Sequence, residues 1–180
     1  MTIDYVIPNK NEQEFIDMAI ELGYKELVFL YNLKDFKITK FDTKLKIDFG
    51  IICNSNEIAK AKNKSKIVVV KCNDNVRQII EKSPSLIYGM EDHNNSDFIH
   101  HKNSGLNQVL AKLMATKKVS YAVNFNDLIK GDRVKLFSRI KFNIKLCKKY
   151  NVDVVVASFA NDCFKMKGKK DMFLVWFSPR

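Results

Sequence analysis

The chain has 180 residues, 46% of them hydrophobic and thirteen of them Phe, enough for one well-filled core and short for two domains. No window approaches the roughly 18 continuous apolar residues of a membrane span, and the opening MTIDYVIPNK lacks the basic-then-apolar layout of a signal peptide, so one cytosolic domain over residues 1–180 is expected. Of the net charge of +11, +10 falls between positions 101 and 150, where 12 basic residues meet 2 acidic ones; general lysine enrichment does not explain such clustering, which fits a phosphate backbone, an anionic membrane surface or an acidic protein.

Seven short apolar, β-branched runs recur along the chain: IDYVI (3–7), ELVFL (26–30), IDFGII (47–52), IVVV (67–70), SLIYG (85–89), VSYAVNF (119–125) and VDVVVAS (152–158). Helical patterns lie between them: FIDMAIELG ending at Gly23, a C-cap residue type, then NEIAKAKN, VRQIIEK, LNQVLAKLM and VKLFSRIKFNIKLCKKY. Buried strands alternating with helices predict a parallel sheet with right-handed crossovers. Seven such units predict closure into a TIM-like barrel, with an open doubly wound sheet as the alternative. Cys53, Cys72, Cys147 and Cys163 have no CxxC spacing and read as buried small hydrophobes, giving neither a disulfide framework nor a zinc site.

The longest polar connection, MEDHNNSDFIHHKNSG (90–105), follows the fifth strand, on the side of a parallel α/β sheet where ligands gather. Behind it Leu106, Val109, Leu110, Leu113 and Met114 define a buried stripe, with Asn103 or Ser104 as the expected N-cap and Gly105 in the first turn. Two readings stand side by side: a simple capped helix, and a helix entrance where Lys102 and free N–H groups meet a phosphate. Asp92, His93, Asp97, His100 and His101 include metal-ligand types, but no HxH or HExxH spacing orders them.

The most basic helix runs from Gly131 to Tyr150. At about 100° per residue, Leu136, Phe137, Ile140, Ile144 and Cys147 share an apolar arc. Lys141, Lys145, Lys148 and Lys149 crowd the arc beside it, with Phe142 and Leu146 as an apolar pair among the lysines. The pair is either covered by a neighbouring helix or open to a protein partner.

KNSGLNQVLAKL, the strand VSYAVNF, an Asn-Asp-Leu-Ile turn, a long basic helix ending CKKYNVDVVVAS and then KGKKDM together resemble the archaeal ribonuclease P protein component 3 family, most strongly over residues 97–172. The resemblance implies a TIM-like barrel of the polymerase-and-histidinol-phosphatase (PHP) type without its metal centre and without cofactor. It implies a non-catalytic subunit that supports a catalytic RNA in trimming the 5′ leader of precursor tRNA, paired with component 2 in a heterotetramer. Lys102, Asn103, Ser104, Gly105, Leu106 and Asn107 match the family signature, Ser158 its small polar position, and Lys170 with Asp171 its basic-Asp pair. Metal-dependent cousins carry HxH after the first strand, where this chain reads IPNKNE (7–12). Family members usually continue past the Lys-Lys-Asp position into a further helix, where this chain has FLVWFSPR.

The RNA-binding candidates are therefore Lys102, Asn103, Ser104, Asn107, Arg139, Lys141, Lys145, Lys149, Lys169 and Lys170, and the partner-binding candidates Phe142 and Leu146. The competing reading is a metal-dependent phosphoesterase of the PHP type, built on Asp4, Asp48, Asp92, Asp97 and the three histidines.

Overall fold

The computed structural model describes residues 3–72, 75–93, 96–97, 102–130 and 133–172. Its elements in order are β1 (Ile3–Val6), α1 (Glu12–Glu21), β2 (Glu26–Asn32), β3 (Lys46–Cys53), α2 (Ile58–Lys62), β4 (Ile67–Lys71), α3 (Val76–Glu81), β5 (Leu86–Tyr88), α4 (Gln108–Lys117), β6 (Ser120–Asn124), α5 (Phe125–Lys130), α6 (Arg133–Lys149), β7 (Val154–Ala157) and a 3-10 turn at Cys163–Lys165. All seven expected strands form, in one parallel sheet whose spatial order is the chain order. The sheet curls until its ends meet. The Ile7 N–H donates to the Ala160 carbonyl at 2.7 Å, and Val6 bridges Ala160, making a nearly closed barrel and setting aside the open-sheet alternative.

Strand period sorts the core into two layers. Val28 and Leu30, Val69, Leu86 and Tyr88, Ala122 and Ala157 face the lumen, while Leu27, Phe29, Val68, Val70, Ile87, Tyr121 and Val156 face the helices. Phe159, held at φ 46°, turns its ring inward onto Tyr88 (centroids 4.7 Å, 18° between planes) and Tyr5 (6.2 Å). Small Ala122 and Ala157 belong to the same inner cluster and leave room for these rings. Such aromatic pairs add about 0.5–1.5 kcal/mol each beyond area burial. Between β2 and β3 no helix forms in the crossover, and Phe41 serves in its place, packing edge-on against Phe29 at 5.6 Å. The four cysteines are buried.

Three local expectations are corrected. The Asn-Asp-Leu-Ile segment is helical, because β6 ends at Asn124, whose side chain accepts from the Asn126 N–H and donates to Asp127, turning the chain directly into α5. Helix α4 starts later than expected: its N-cap is Asn107, whose Oδ1 accepts from the Leu110 N–H at 2.9 Å, and not Asn103 or Ser104. Gly105 lies before the helix with φ +77°, where a Cβ would stand 2.0 Å from the Met90 carbonyl oxygen.

Candidate functional site

One stripe of α6 clamps the connection that follows β5. Arg139, 2% exposed, donates from Nη1 to the carbonyls of Glu91 and His93 (3.0 Å each) and from Nε and Nη2 to Asp97 Oδ1 (2.9 Å each). One turn on, Asn143 donates to the Ser104 carbonyl at 2.9 Å, and one residue before Arg139, Ser138 accepts from the Lys102 ammonium. A planar guanidinium with five donors suits this fan of acceptors. The Arg139 hydrogen bonds hold the Asp97 carboxyl below the ordinary carboxylate range. Under the clamp Glu91 is fully buried. Burial pushes its carboxyl up to about 7, opposed by the hydrogen bond it accepts from the Tyr121 hydroxyl at 2.8 Å.

The signature residues are engaged by the protein itself, with Ser104 and Leu106 buried and Lys102 and Asn107 exposed. Asn103 donates its N–H to Asp97 (2.9 Å) and its amide to the Ser96 carbonyl (3.1 Å). Ser104 is 1% exposed and bonds to the Leu106 carbonyl, and Asn107 caps α4. Arg139 and Ser104 leave the RNA-binding set for that reason: neither reaches solvent. His100 and His101 lie outside the described residues.

The cationic surface is the other side of α6. Lys145, Lys148 and Lys149 are exposed, while Lys141 is half-buried with its ammonium 5.0 Å from the Phe137 ring centre. Lys112 of α4 and Lys149 approach the Tyr150 ring (5.8 and 5.5 Å to its centre), whose hydroxyl donates to Gln108 at 3.1 Å. Lys112 and Tyr150 were invisible as site members in the sequence, since only packing of α4 against α6 brings them together. Lys169 and Lys170 do not join this face through any contact among the described residues. Lys169 bonds the Gly23 carbonyl at the end of α1 and covers the Tyr24 ring at 5.4 Å, and Lys170 is exposed beside it. The expected apolar pair is covered: Leu146 is 8% exposed and Phe142 half-buried, both packed on the core, because α6 is wrapped on two sides. Neither is an open docking surface for a partner.

No family model matches the sequence. Individual proteins do: over 177 residues the chain is 32% identical to the ribonuclease P protein component 3 of Methanococcus maripaludis, spanning 92% of this chain and 68% of that protein. The chain belongs to the ribonuclease P protein component 3 family. Component 3 of Methanosarcina acetivorans is 36% identical over 83 residues, 42% of this chain and 35% of the relative. Among solved structures, a chain in the cryo-EM structure of archaeal ribonuclease P with mature tRNA superposes with a TM-score of 0.74 at 23% identity, covering 93% of this chain and 78% of that one. The histidinol phosphate phosphatase of Lactococcus lactis, complexed with zinc, L-histidinol and phosphate, superposes with a TM-score of 0.65 at 9% identity, covering 95% and 92%. The chain thus has the PHP-like fold.

The zinc and phosphate belong to that phosphatase; in this chain the candidate aspartates are engaged by other partners. Asp4 accepts from Ser158, Asp48 pairs with Lys46 at 3.5 Å, Asp92 with Lys71 at 3.8 Å and Asp97 with Arg139. Among the described residues no three His, Cys, Asp or Glu side chains converge to hold a metal ion. A catalytic zinc needs three protein ligands and an open position, so the phosphoesterase reading finds no donor set among them. No helix among the described residues is long and apolar enough to cross a membrane.

Proposed function

We propose that the chain is the component 3 subunit of a ribonuclease P, a non-catalytic protein that binds and supports the catalytic RNA during removal of the 5′ leader from precursor tRNA. Family membership supports the assignment. The observation that carries RNA binding is the gathering of Lys112, Lys145, Lys148 and Lys149 on the α4–α6 face, with Lys141 half-buried beside them and an aromatic ring in their midst. Such a face neutralises phosphates and releases counterions, while the loop residues Asn103 and Asn107 hold its edge in shape. Component 2 is the partner the family resemblance implies.

The test is charge reversal of Lys141, Lys145 and Lys149 together. At fixed salt the variant loses at least about ten-fold in affinity for ribonuclease P RNA, keeps its circular dichroism spectrum, and supports less precursor-tRNA cleavage at reduced magnesium when mixed with the RNA and component 2. Wild-type affinity in that variant would refute the lysine face as the RNA contact.

A further inference from the structure

The barrel has a second concave polar region, at the carboxyl ends of its strands and away from the α6 lysines. A cleft of about 520 Å³ opens there between the ends of β2, β3 and β4, lined by Asn32, Lys34, Asn54, Lys71 and Tyr88 over the apolar side chains of Ile7, Leu33 and Ile52. A neighbouring lobe of about 640 Å³ shares Ile7, Asn32 and Asp35 with it and adds Asn9 and Asn161. Both volumes fall in the ~300–1,000 Å³ range of small-molecule sites, and the strand ends are where parallel barrels bind ligands.

The lining has a distinctive chemistry. Carboxamides stand at the ends of β1, β2, β3 and β7, and those of Asn9, Asn32 and Asn54 make no side-chain hydrogen bond among the described residues. Tyr88 is 7% exposed, its ring is fixed on Phe159, and its hydroxyl has no partner among the described residues although it lines the cleft. A hydroxyl so placed is open to a ligand or to solvent at the cleft. Neutral groups that both donate and accept read neutral polar edges, and a hard divalent cation would take carboxylate oxygens instead. The charges are mixed. Glu57 is bonded to the Asn54 N–H at 3.3 Å and Lys71 is shared with Asp92, which leaves Asp35 as an acceptor and Lys34 as a cation with no ion pair among the described residues.

We propose that this mouth binds a nucleoside monophosphate, either free or as one unpaired unit of an RNA. The base lies on Ile7 and Ile52 with its edge read by Asn32, Asn54 and the Tyr88 hydroxyl, Asp35 accepts from ribose hydroxyls, and Lys34 with Lys71 meets the phosphate. A single phosphate is matched here, since the acidic neighbours disfavour a bare polyanion. The proposal does not depend on the α4–α6 lysine face, so either can fail alone.

The experiment titrates the full chain with AMP, GMP, CMP and UMP, with inorganic phosphate, and with single-stranded tetranucleotides, followed by isothermal titration calorimetry and amide chemical shifts. At least one mononucleotide or tetranucleotide is expected to bind saturably. Tyr88→Phe, which keeps the ring stack, and Asn32→Leu each weaken that binding at least ten-fold, and Lys145→Glu leaves the mononucleotide unaffected. Binding of mononucleotides as tight as tetranucleotides identifies a free nucleotide as ligand, and binding of tetranucleotides alone identifies an RNA unit. No saturable binding by any of them, phosphate binding as tightly as the nucleotides, or unchanged affinity in both mouth variants would overturn the proposal.

Discussion

Asp4 on β1 and Ser158 just past β7, 154 positions apart, are joined by two hydrogen bonds of 2.7 Å, from the Ser158 N–H and from its hydroxyl, across the seam where the barrel closes. The carboxylate also accepts from its own neighbour, the Tyr5 N–H, at 2.9 Å. Where the ladder between first and last strand thins to a single bridge, a fully buried side chain supplies the missing acceptors. Burial pushes the Asp4 carboxyl up to about 6 against three hydrogen bonds that pull it down. Ser158→Ala removes one donor from this group and is expected to cost about 1–3 kcal/mol at pH 7, read as a lower urea midpoint.

Two buried acids set the pH dependence of stability. Folding raises Asp4 from 3.8 to about 6 and Glu91 from 4.5 to about 7, so within those windows the folded state holds protons that the unfolded state has released. Their contribution is therefore full below about pH 4 and is lost as pH rises toward 7. Glu91→Gln, which keeps an acceptor for the Tyr121 hydroxyl, is expected to flatten the curve between pH 4.5 and 7, and Asp4→Asn between 4 and 6. Urea titrations in half-unit pH steps check both; a wild-type curve that rises across this range would contradict the assignment.

Arg139→Lys tests the clamp. An ammonium has three donors and no plane, and cannot serve two carbonyls and a carboxylate in the fan that the guanidinium spans. The loss expected is about 2–3 kcal/mol, below the ~3–5 kcal/mol of a fully buried pair because Asp97 is 26% exposed. Thermal unfolding measures it, and RNA affinity per folded molecule should change far less than in the lysine-face variant.

Gly105→Ala should be harsher than its size suggests. The new methyl would meet the Met90 carbonyl oxygen at 2.0 Å with a left-handed backbone beneath it, and the obstacle is main chain that no rotamer relieves. A loss of about 2 kcal/mol or more follows, with α4 itself intact by amide exchange because its cap, Asn107, lies beyond the clash.

Salt dependence separates the lysines. Lys145→Ala is expected to reduce the slope of log affinity for ribonuclease P RNA against log salt by about 0.7–0.9, one phosphate contact. Lys169→Ala, whose ammonium is engaged by Gly23 and Tyr24, should reduce it by much less. Equal effects would place the RNA over both faces.

The strands were legible because a strand buried on both faces needs a run of β-branched and aromatic residues, and IVVV or ELVFL admits few other uses. The turn into α5 was not, since it hangs on hydrogen bonds made by Asn124 to its own successors. Arg139 read as one more surface cation because charge alone does not reveal that Asp97 and two carbonyls wait for it 42 to 48 positions upstream. Lys145 and Lys149 were legible as solvent-facing because helical period fixes their side of α6, whereas the cover over Leu146 belongs to tertiary packing. The seam carboxylate gave no local sign at all.

That seam bears on how the molecule is made. The outer edge of β1, already paired with β2 on its other side, finds its partners only at 158 to 160, so a nascent polypeptide presents an unfinished arc with that edge unpaired until Ala160 clears the ribosome. The interval of greatest exposure to aggregation and to proteases is therefore translation itself, and synonymous slowing late in the message would lengthen it.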